Sequence, residues 1–311
     1  MGEFLHISVL FEETIEALNI KPDGIYVDCT CGGAGHSRAI LERLSENGRL
    51  IAIDQDPEAI EVIKERIGSY KQVTIVHDNF SNLKNILENL GIEKVDGILA
   101  DLGVSSHQLD TAERGFSFHH DAYLDMRMSK EGMTAADVIA SFSESELARI
   151  FRLYGEERFA NRIAKRIVEI RKTEPITSTL QLSEIVKNAI PAATRRTGGH
   201  PSRKIFQSLR IFLNKELSVL EDTLETMFDF LSENGRLAII TFHSLEDRIV
   251  KKAFAGFCKG CECPPSSPIC ICGKTPRGSL PFKKATPGEK ELEENPRSRS
   301  ATLRCVEKIK D

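Results

Sequence analysis

Residues 25–37, IYVDCTCGGAGHS, contain the transition that decides the fold, a short apolar run followed by a glycine-rich turn. The run from Ile25 to Cys29 has the length and composition of a buried strand, and a helical pattern follows Ser37. Glycines in such a turn allow the backbone to approach a ligand closely. The stretch therefore predicts a strand, a ligand-binding turn and a helix.

Further apolar runs repeat this arrangement, at residues 50–54, 73–77 and 97–101. Helical patterns separate them, which favours βαβ units and a parallel sheet covered on both faces. A fifth run occupies residues 235–241, and residues 300–308 alternate like an edge strand. The predicted fold class is α/β, with a Rossmann-like, mostly parallel sheet.

The sheet pattern is interrupted by a mainly helical segment. Ser143 and Glu146 have the spacing of a capping box, and a long periodic stretch covers residues 202–231. The sequence thus predicts an α/β domain in two parts, residues 1–106 and 202–311. A helical insertion at residues 107–201 separates the two parts.

The charge is distributed unevenly along the chain. The net charge is −4, yet residues 149–215 carry 15 Lys and Arg against 5 Asp and Glu. Such an excess suits a polyanionic partner, although a solvated helical face explains it equally well.

The composition excludes several classes of protein. An apolar content of 41% over 311 residues suits a globular protein with a substantial core. No apolar run approaches the roughly 18 residues of a membrane span, and the first residues lack a secretion-signal pattern. A cytoplasmic protein without membrane association is expected.

The glycine-rich turn differs from a dinucleotide-binding fingerprint. Arg38 stands where the third glycine belongs, and the Asp28 carboxyl would repel a pyrophosphate but could accept from an amino group. Asp54, about 20 residues further on, is placed to bind a ribose. These features favour S-adenosylmethionine over a nicotinamide cofactor. The alternative is that the glycines only make a tight turn and Asp54 caps a helix.

Two strand ends carry candidate catalytic residues. If S-adenosylmethionine methylates an exocyclic amine of a base, that amine is a poor nucleophile and needs an acceptor for its hydrogen bond or its proton. Asp101, at the end of the fourth strand, is the candidate acceptor. The competing interpretation is a strand-end Asp that caps a turn. His243 could orient the base or shuttle a proton, and a structural histidine is equally compatible with the sequence.

Seven blocks of sequence, in order, resemble the bacterial small-subunit (16S) ribosomal RNA cytosine-N4 methyltransferase family along essentially the whole chain. The blocks are residues 33–37, 95–106, 113–118, 124–128, 154–160, 242–251 and 294–300. One departure is Tyr123, which stands where a smaller residue or proline is expected.

The resemblance implies a class I methyltransferase domain with an inserted helical domain. It implies N4-methylation of a cytidine in the decoding centre of 16S rRNA, with S-adenosylmethionine as cofactor and the small ribosomal subunit as substrate. Carried over by position, the cofactor site comprises Ala34, Gly35, His36, Asp54, Phe80, Asp101 and Gln108. Phe80 suits an adenine-stacking platform, although a core phenylalanine is the equal alternative.

A cysteine-rich segment is not required by the family pattern. Five of the eight cysteines lie close together, at Cys258, Cys261, Cys263, Cys270 and Cys272. Thiolates at such spacings can bind a structural zinc ion, and reduced surface thiols are the alternative.

The basic insertion is expected to bind RNA phosphates without selecting the base. The candidate residues are Arg162, Lys165, Arg166, Arg195, Arg196, Arg203 and Lys204. A small-molecule N-methyltransferase and a non-catalytic assembly factor are the competing functions. Both a monomer and a homodimer are compatible with the sequence.

Overall fold

The structure is a computed structural model that describes residues 8–192, 199–261, 263–264, 269 and 271–309. The chain forms two compact units. The first contains Met1–Gly103 and Leu217–Asp311, and the second contains Val104–Glu216.

The first unit is built on a seven-stranded sheet. Its strands are β1 (Ile25–Asp28), β2 (Arg49–Asp54), β3 (Val73–His77), β4 (Val95–Asp101), β5 (Leu231–Thr241), β6 (Gly278–Ser279) and β7 (Thr302–Lys308). The order across the sheet is β3-β2-β1-β4-β5-β7-β6. Strands β1 to β5 are parallel, whereas β7 is antiparallel to both β5 and β6. The direction in which successive strands are added to the sheet reverses between β1 and β4. Sheets of this kind bind ligands at the carboxyl ends of the strands at such a reversal.

The first unit also contains seven described α-helices, and those that pack on the sheet lie on both of its faces. The seven helices are α1 (Phe11–Leu18), α2 (Gly35–Leu41), α3 (Pro57–Ile67), α4 (Leu83–Asn89), α11 (Glu216–Phe230), α12 (Ser244–Phe257) and α13 (Glu289–Glu294). Along β2, Leu50 and Ala52 pack into one core, and Ile51 and Ile53 pack into the other. This alternation follows from the two-residue period of a strand. The predicted α/β fold with a mostly parallel sheet is confirmed.

Two details of the sheet differ from the prediction. The strand near the C-terminus is not at the edge, because Gly278 and Ser279 of β6 pair with it on the side away from β5. Strand β5 begins at Leu231 rather than at residue 235, and its pairing with β4 shifts register between Val95 and Gly97. The sequence does not predict the pairing of β6 with β7 or the early start of β5, because a two-residue strand and a register shift produce little apolar pattern.

The second unit is helical. Its helices are α5 (Ser106–Asp110), α6 (Ala135–Ser141), α7 (Glu144–Leu153), α8 (Ala160–Ile170), α9 (Thr179–Ala189) and α10 (Arg203–Leu213). The predicted capping box at the start of α7 is present, since Ser143 Oγ accepts from Glu146 N and Glu146 Oε2 accepts from Ser143 N. Tyr123, where the sequence departs from the family pattern, is 50% exposed in this unit.

The boundaries of the helical unit differ from residues 107–201. The unit extends to Glu216 because Ile205, Phe206 and Leu209 of α10 pack into its core rather than against the sheet. The periodic stretch 202–231 is therefore two helices, α10 and α11. Lys215, with φ of 52°, lies at the break between them.

Candidate active site at the carboxyl edge of the sheet

The glycine-rich turn connects β1 to α2. Gly32 and Ala34 both have positive φ, of 51° and 62°, and the Ala34 side chain is buried. A Cβ at position 35 would overlap the hydroxyl of Ser8, so any larger residue there requires the Ser8 side chain to move. Arg66 donates to the Gly33 carbonyl at 2.7 Å. The turn is thus held by its neighbours in the shape expected of a ligand cradle.

Asp28 stabilises this turn through hydrogen bonds. Its Oδ1 accepts from the backbone N–H of Thr30 at 3.1 Å, and its Oδ2 accepts from the Ser37 hydroxyl at 2.7 Å. Burial raises the pKa of Asp28 to about 6, against the lowering effect of these hydrogen bonds. Both oxygens of Asp28 therefore accept hydrogen bonds from the turn itself. The sequence had suggested that Asp28 could accept from a ligand amino group.

Asp54 ends β2 beside the same turn. Its Oδ2 accepts from Gly32 N at 2.8 Å, and its Oδ1 accepts from Asp56 N at 2.9 Å. Burial raises the pKa of Asp54 to about 6, and the nearby charge of Asp56 acts in the same direction. The structure brings the predicted ribose-binding acid and the glycine-rich turn into direct contact. The N–H of Gln55 is a third donor to this carboxylate, which leaves lone-pair capacity for one ligand hydroxyl.

Phe80 follows β3 on a 3₁₀ turn, Phe80–Asn82. Its side chain is partly buried and packs against one of the two cores of the first unit. This placement is compatible with both interpretations of Phe80, so its stacking role stays a prediction.

Asp101 ends β4, next to β1 in the sheet. Its backbone N–H donates to Thr30 Oγ1 at 2.6 Å, while its Oδ1 is buried and has no hydrogen-bond partner among the described residues. The side chain keeps 23% of its surface exposed. Because buried polar atoms are nearly always paired, this oxygen is a candidate acceptor for a ligand donor.

The electrostatic environment of Asp101 opposes its ionisation. Burial raises the pKa of Asp101 well above its ordinary value, and the carboxylates of Asp28 and Glu246 raise it further. The Nδ1 of His36 lies 3.9 Å from Asp101 Oδ2. That distance is too long for a hydrogen bond.

His36 is a buried residue of α2. Its Nε2 lies 3.2 Å from the Val9 carbonyl oxygen, and its ring stacks on Phe11 with centroids 5.9 Å apart. The three consecutive residues predicted to bind the cofactor lie where the glycine-rich turn meets α2: Ala34 is the N-cap, and Gly35 and His36 begin the helix.

His243 is the N-cap of α12. Its Nδ1 accepts from the Glu246 backbone N–H at 3.4 Å, and Glu246 Oε2 accepts from the N–H groups of Phe242 and His243. Its Nε2 lies 3.0 Å from Glu246 Oε1, without hydrogen-bond geometry. The structure thus gives His243 a structural duty, and its catalytic role stays a prediction.

Gln108 belongs to the helical unit. It closes a capping box at the start of α5, where its Oε1 accepts from Ser105 N at 3.0 Å and its own N–H donates to Ser105 Oγ. Its predicted contact with the cofactor stays a prediction.

The cysteine-rich segment contains a smaller group than the five predicted ligands. The Sγ atoms of Cys261, Cys263 and Cys272 lie within 4.8 Å of one another. Cys258 is not part of this group, because it ends α12 and packs against a core of the first unit. Cys270 lies outside the described residues.

Three residues of the site were not singled out from the sequence. Thr30 and Ser37 flank the glycines and bind Asp101 and Asp28 respectively, and nothing in their spacing distinguishes them from ordinary turn residues. Glu246 stands three residues after His243, which is the spacing of a capping box. The signal was missed because histidine is not a preferred N-cap residue.

The fold and the site together define the class of protein. The strand order 3-2-1-4-5-7-6, with β7 antiparallel, is that of class I S-adenosylmethionine-dependent methyltransferases. The glycine-rich turn after β1 and the acid after β2 occupy the positions at which such a fold binds its cofactor.

The chain belongs to the MraW methylase family, whose model matches residues 3–309. It is 56% identical over 310 residues to the ribosomal RNA small subunit methyltransferase H of Lachnospira eligens, covering 99% of this chain and 98% of that one. The protein of the same name from Clostridium botulinum is 56% identical over 309 residues, covering 99% and 100%. The predicted family and the prediction of a methyltransferase are confirmed. Among the described helices, none is long and apolar enough to cross a membrane.

Proposed function

We propose that this protein methylates N4 of a cytidine in the decoding centre of 16S rRNA, with the small ribosomal subunit as its substrate in the cytoplasm. The observation that carries the proposal is the 56% identity, over 99% of the chain, to relatives named ribosomal RNA small subunit methyltransferase H. The geometry of the first unit supports the same reaction.

The residues at the carboxyl edge suit S-adenosylmethionine. The turn at Ala34, Gly35 and His36 offers backbone close to the ligand, Asp54 would accept from the ribose hydroxyls, and Phe80 would stack on the adenine. When bound, the cofactor supplies a methyl group made electrophilic by the sulfonium. The cationic sulfonium would also favour the ionised forms of nearby carboxyl groups.

Asp101 is the residue placed to act on the amine. Its buried Oδ1 would accept a hydrogen bond from the N4 amino group and align the nitrogen lone pair with the methyl carbon. Formation of the N–C bond would break the S–C bond of the sulfonium, and the amine would then lose one proton, which Asp101 could accept. The raised pKa of Asp101 makes its carboxylate a stronger base for that step.

The helical unit offers a cationic surface for RNA. On α8, Ile163, Ala164 and Ile167 are buried, whereas Arg162, Lys165 and Arg166 are exposed. Arg203 and Lys204 at the start of α10 are exposed as well. Contacts of these groups with phosphates would position the RNA without choosing the base. Arg195 and Arg196, predicted for the same role, lie outside the described residues.

The test is methyl transfer from labelled S-adenosylmethionine to small subunits that lack the modification, followed by analysis of the nucleosides. We expect N4-methylcytidine at a single position. Asp101→Ala should lower the rate by about 100-fold or more. Binding of S-adenosylhomocysteine to the same variant separates the two duties of Asp101, because a pure amine acceptor leaves that affinity unchanged.

Tight cofactor binding without transfer to subunits or to naked RNA would contradict the proposal and favour a small-molecule substrate. Transfer that survives Asp101→Ala would remove Asp101 from the chemistry.

A further inference from the structure

Three cysteines after α12 form a compact thiol group that the methyltransferase site does not use. The Sγ atoms of Cys261 and Cys272 are 3.7 Å apart, and Cys263 Sγ completes a group within 4.8 Å. Zinc–sulfur bonds of about 2.3 Å at tetrahedral angles place two sulfurs about 3.8 Å apart. A disulfide would require about 2.05 Å. At 3.7 Å, where the Cys272 thiol donates to Cys261 Sγ, the two sulfurs are not bonded covalently and stand at the separation that one shared ion requires.

Backbone amides point at two of these sulfurs. The N–H of Cys263 donates to Cys261 Sγ at 3.4 Å, and the N–H of Ile271 donates to Cys263 Sγ at 3.4 Å. Amide donors favour a thiolate over a thiol, and the thiolate is the form that binds metal.

Around the thiols, the described residues do not form a core of their own. None of the described residues between Lys259 and Pro276 is buried, and Ile269 and Ile271 are 74% and 87% exposed. The ends of the segment are joined, because Arg277 N donates to the Phe257 carbonyl at 3.0 Å. Apolar burial therefore does not order the described part of this loop, which is the situation in which a metal commonly replaces a core.

We propose that Cys261, Cys263 and Cys272 bind one structural Zn²⁺ ion that orders the loop between α12 and β6. Thiolate ligands select zinc among the common divalent ions that lack redox chemistry. The ion connects Cys261 and Cys263 on the outgoing part of the loop to Cys272 on the returning part. Three thiolates leave one tetrahedral position to a fourth ligand. The proposal is independent of the RNA substrate.

The first test measures zinc in the purified full-length protein by mass spectrometry of the metal. We expect about one zinc per chain, with at least a fivefold loss in Cys261→Ser and in Cys272→Ser. Cys258→Ser is the matched control, because Cys258 lies in the same segment but outside the thiol group, and it should keep its zinc. Replacement of zinc by Co²⁺ should give thiolate-to-cobalt charge-transfer bands and the visible bands of a tetrahedral site.

The second test follows the loop itself. Trypsin should cleave at Lys259 and Lys274 after removal of zinc by a chelator, and added Zn²⁺ should restore protection. Unchanged binding of S-adenosylhomocysteine would show that the first unit remains folded. A protein with negligible metal, or a disulfide between Cys261 and Cys272, would overturn the proposal, as would equal loss of zinc from the Cys258→Ser control.

Discussion

The hydroxyl of Thr30 accepts a 2.6 Å hydrogen bond from the backbone N–H of Asp101. Thr30 lies in the turn after β1, and Asp101 ends β4, the neighbouring strand. The same turn is bound from its other side by Asp54, through the N–H of Gly32. A chain of short contacts thus connects the ribose-binding candidate, the glycine-rich turn and the candidate amine acceptor.

Thr30→Val should lower both the stability of the protein and the rate of methyl transfer, because it removes the contact that positions Asp101. Valine has the shape of threonine but leaves the N–H of Asp101 without its acceptor, which costs about 1–3 kcal/mol in the free energy of unfolding. We expect methyl transfer to fall about tenfold or more, because small displacements of a catalytic group are costly. Urea denaturation and single-turnover methyl transfer measure the two effects. Thr30→Ser keeps the hydroxyl and is the control; a fully active valine variant would make the contact irrelevant to catalysis.

The affinity for S-adenosylhomocysteine should depend on pH through Asp54. The folded-state pKa of Asp54 is raised to about 6, so below that pH the carboxyl is largely protonated. Ribose hydroxyls donate to the carboxylate, so binding must first remove this proton. The affinity should therefore fall as the pH drops from 7 to 5, by up to about tenfold per pH unit below the pKa.

The matching measurement is calorimetric titration with S-adenosylhomocysteine at several pH values. Asp54→Asn should weaken binding at pH 7 and flatten its pH dependence. Asp23→Asn, an exposed carboxyl before β1 at the opposite end of the strand, should behave like the native protein. An asparagine variant that keeps the full pH dependence would assign the titration to another group.

The sequence predicted the parallel sheet because its strands are buried on both faces and therefore appear as continuous apolar runs, such as Leu50 to Ile53. It also placed Asp54 and Asp101 correctly at strand ends. Strand β6 could not be predicted, since Gly278 and Ser279 have no apolar pattern and are defined only by pairing with β7. The helix α10 was assigned to the wrong unit, because periodicity shows an apolar face but not the core into which that face packs.

The side-chain contacts of the site were less predictable than its backbone. The sequence marks Asp28 as a strand-end acid, but only the structure shows that Ser37 and Thr30 occupy its oxygens. Similarly, the spacing of His243 and Glu246 is visible in the sequence, whereas the cap that they form depends on the geometry at the end of β5. Tertiary contacts decide which polar groups remain available to a ligand.

Gly115→Ala should destabilise the helical unit far more than Gly132→Ala. Both glycines have positive φ, of 70° and 80°, so both alanine variants carry a similar backbone strain of about 1 kcal/mol. A Cβ at position 115 would also lie 2.6 Å from Asp125 N, whereas nothing lies within 4 Å of one at position 132. We expect the difference in the free energy of unfolding to exceed about 2 kcal/mol. Equal destabilisation, measured by urea denaturation followed with a probe in the helical unit, would contradict the close approach of Asp125 to position 115.

Neutralising the exposed face of α8 should weaken RNA binding and reduce its dependence on salt. Arg162, Lys165 and Arg166 are exposed on one helix, and each phosphate contact that is lost should lower the slope of log Kd against log salt by about 0.7–0.9. The triple alanine variant should therefore lose about two units of slope if most of these contacts form. Filter binding of the 16S rRNA fragment over a range of salt concentrations measures this slope.

A second triple variant distinguishes a specific surface from general charge. Arg38, Lys64 and Lys84 are exposed on helices of the first unit, each beside an acidic neighbour, and their replacement by alanine removes the same total charge. If the RNA binds to the helical unit, the slope of log Kd against log salt for this control should stay near that of the native protein. Equal losses in the two variants would mean that the RNA responds to the net charge of the protein, and α8 would then have no particular role in recognition.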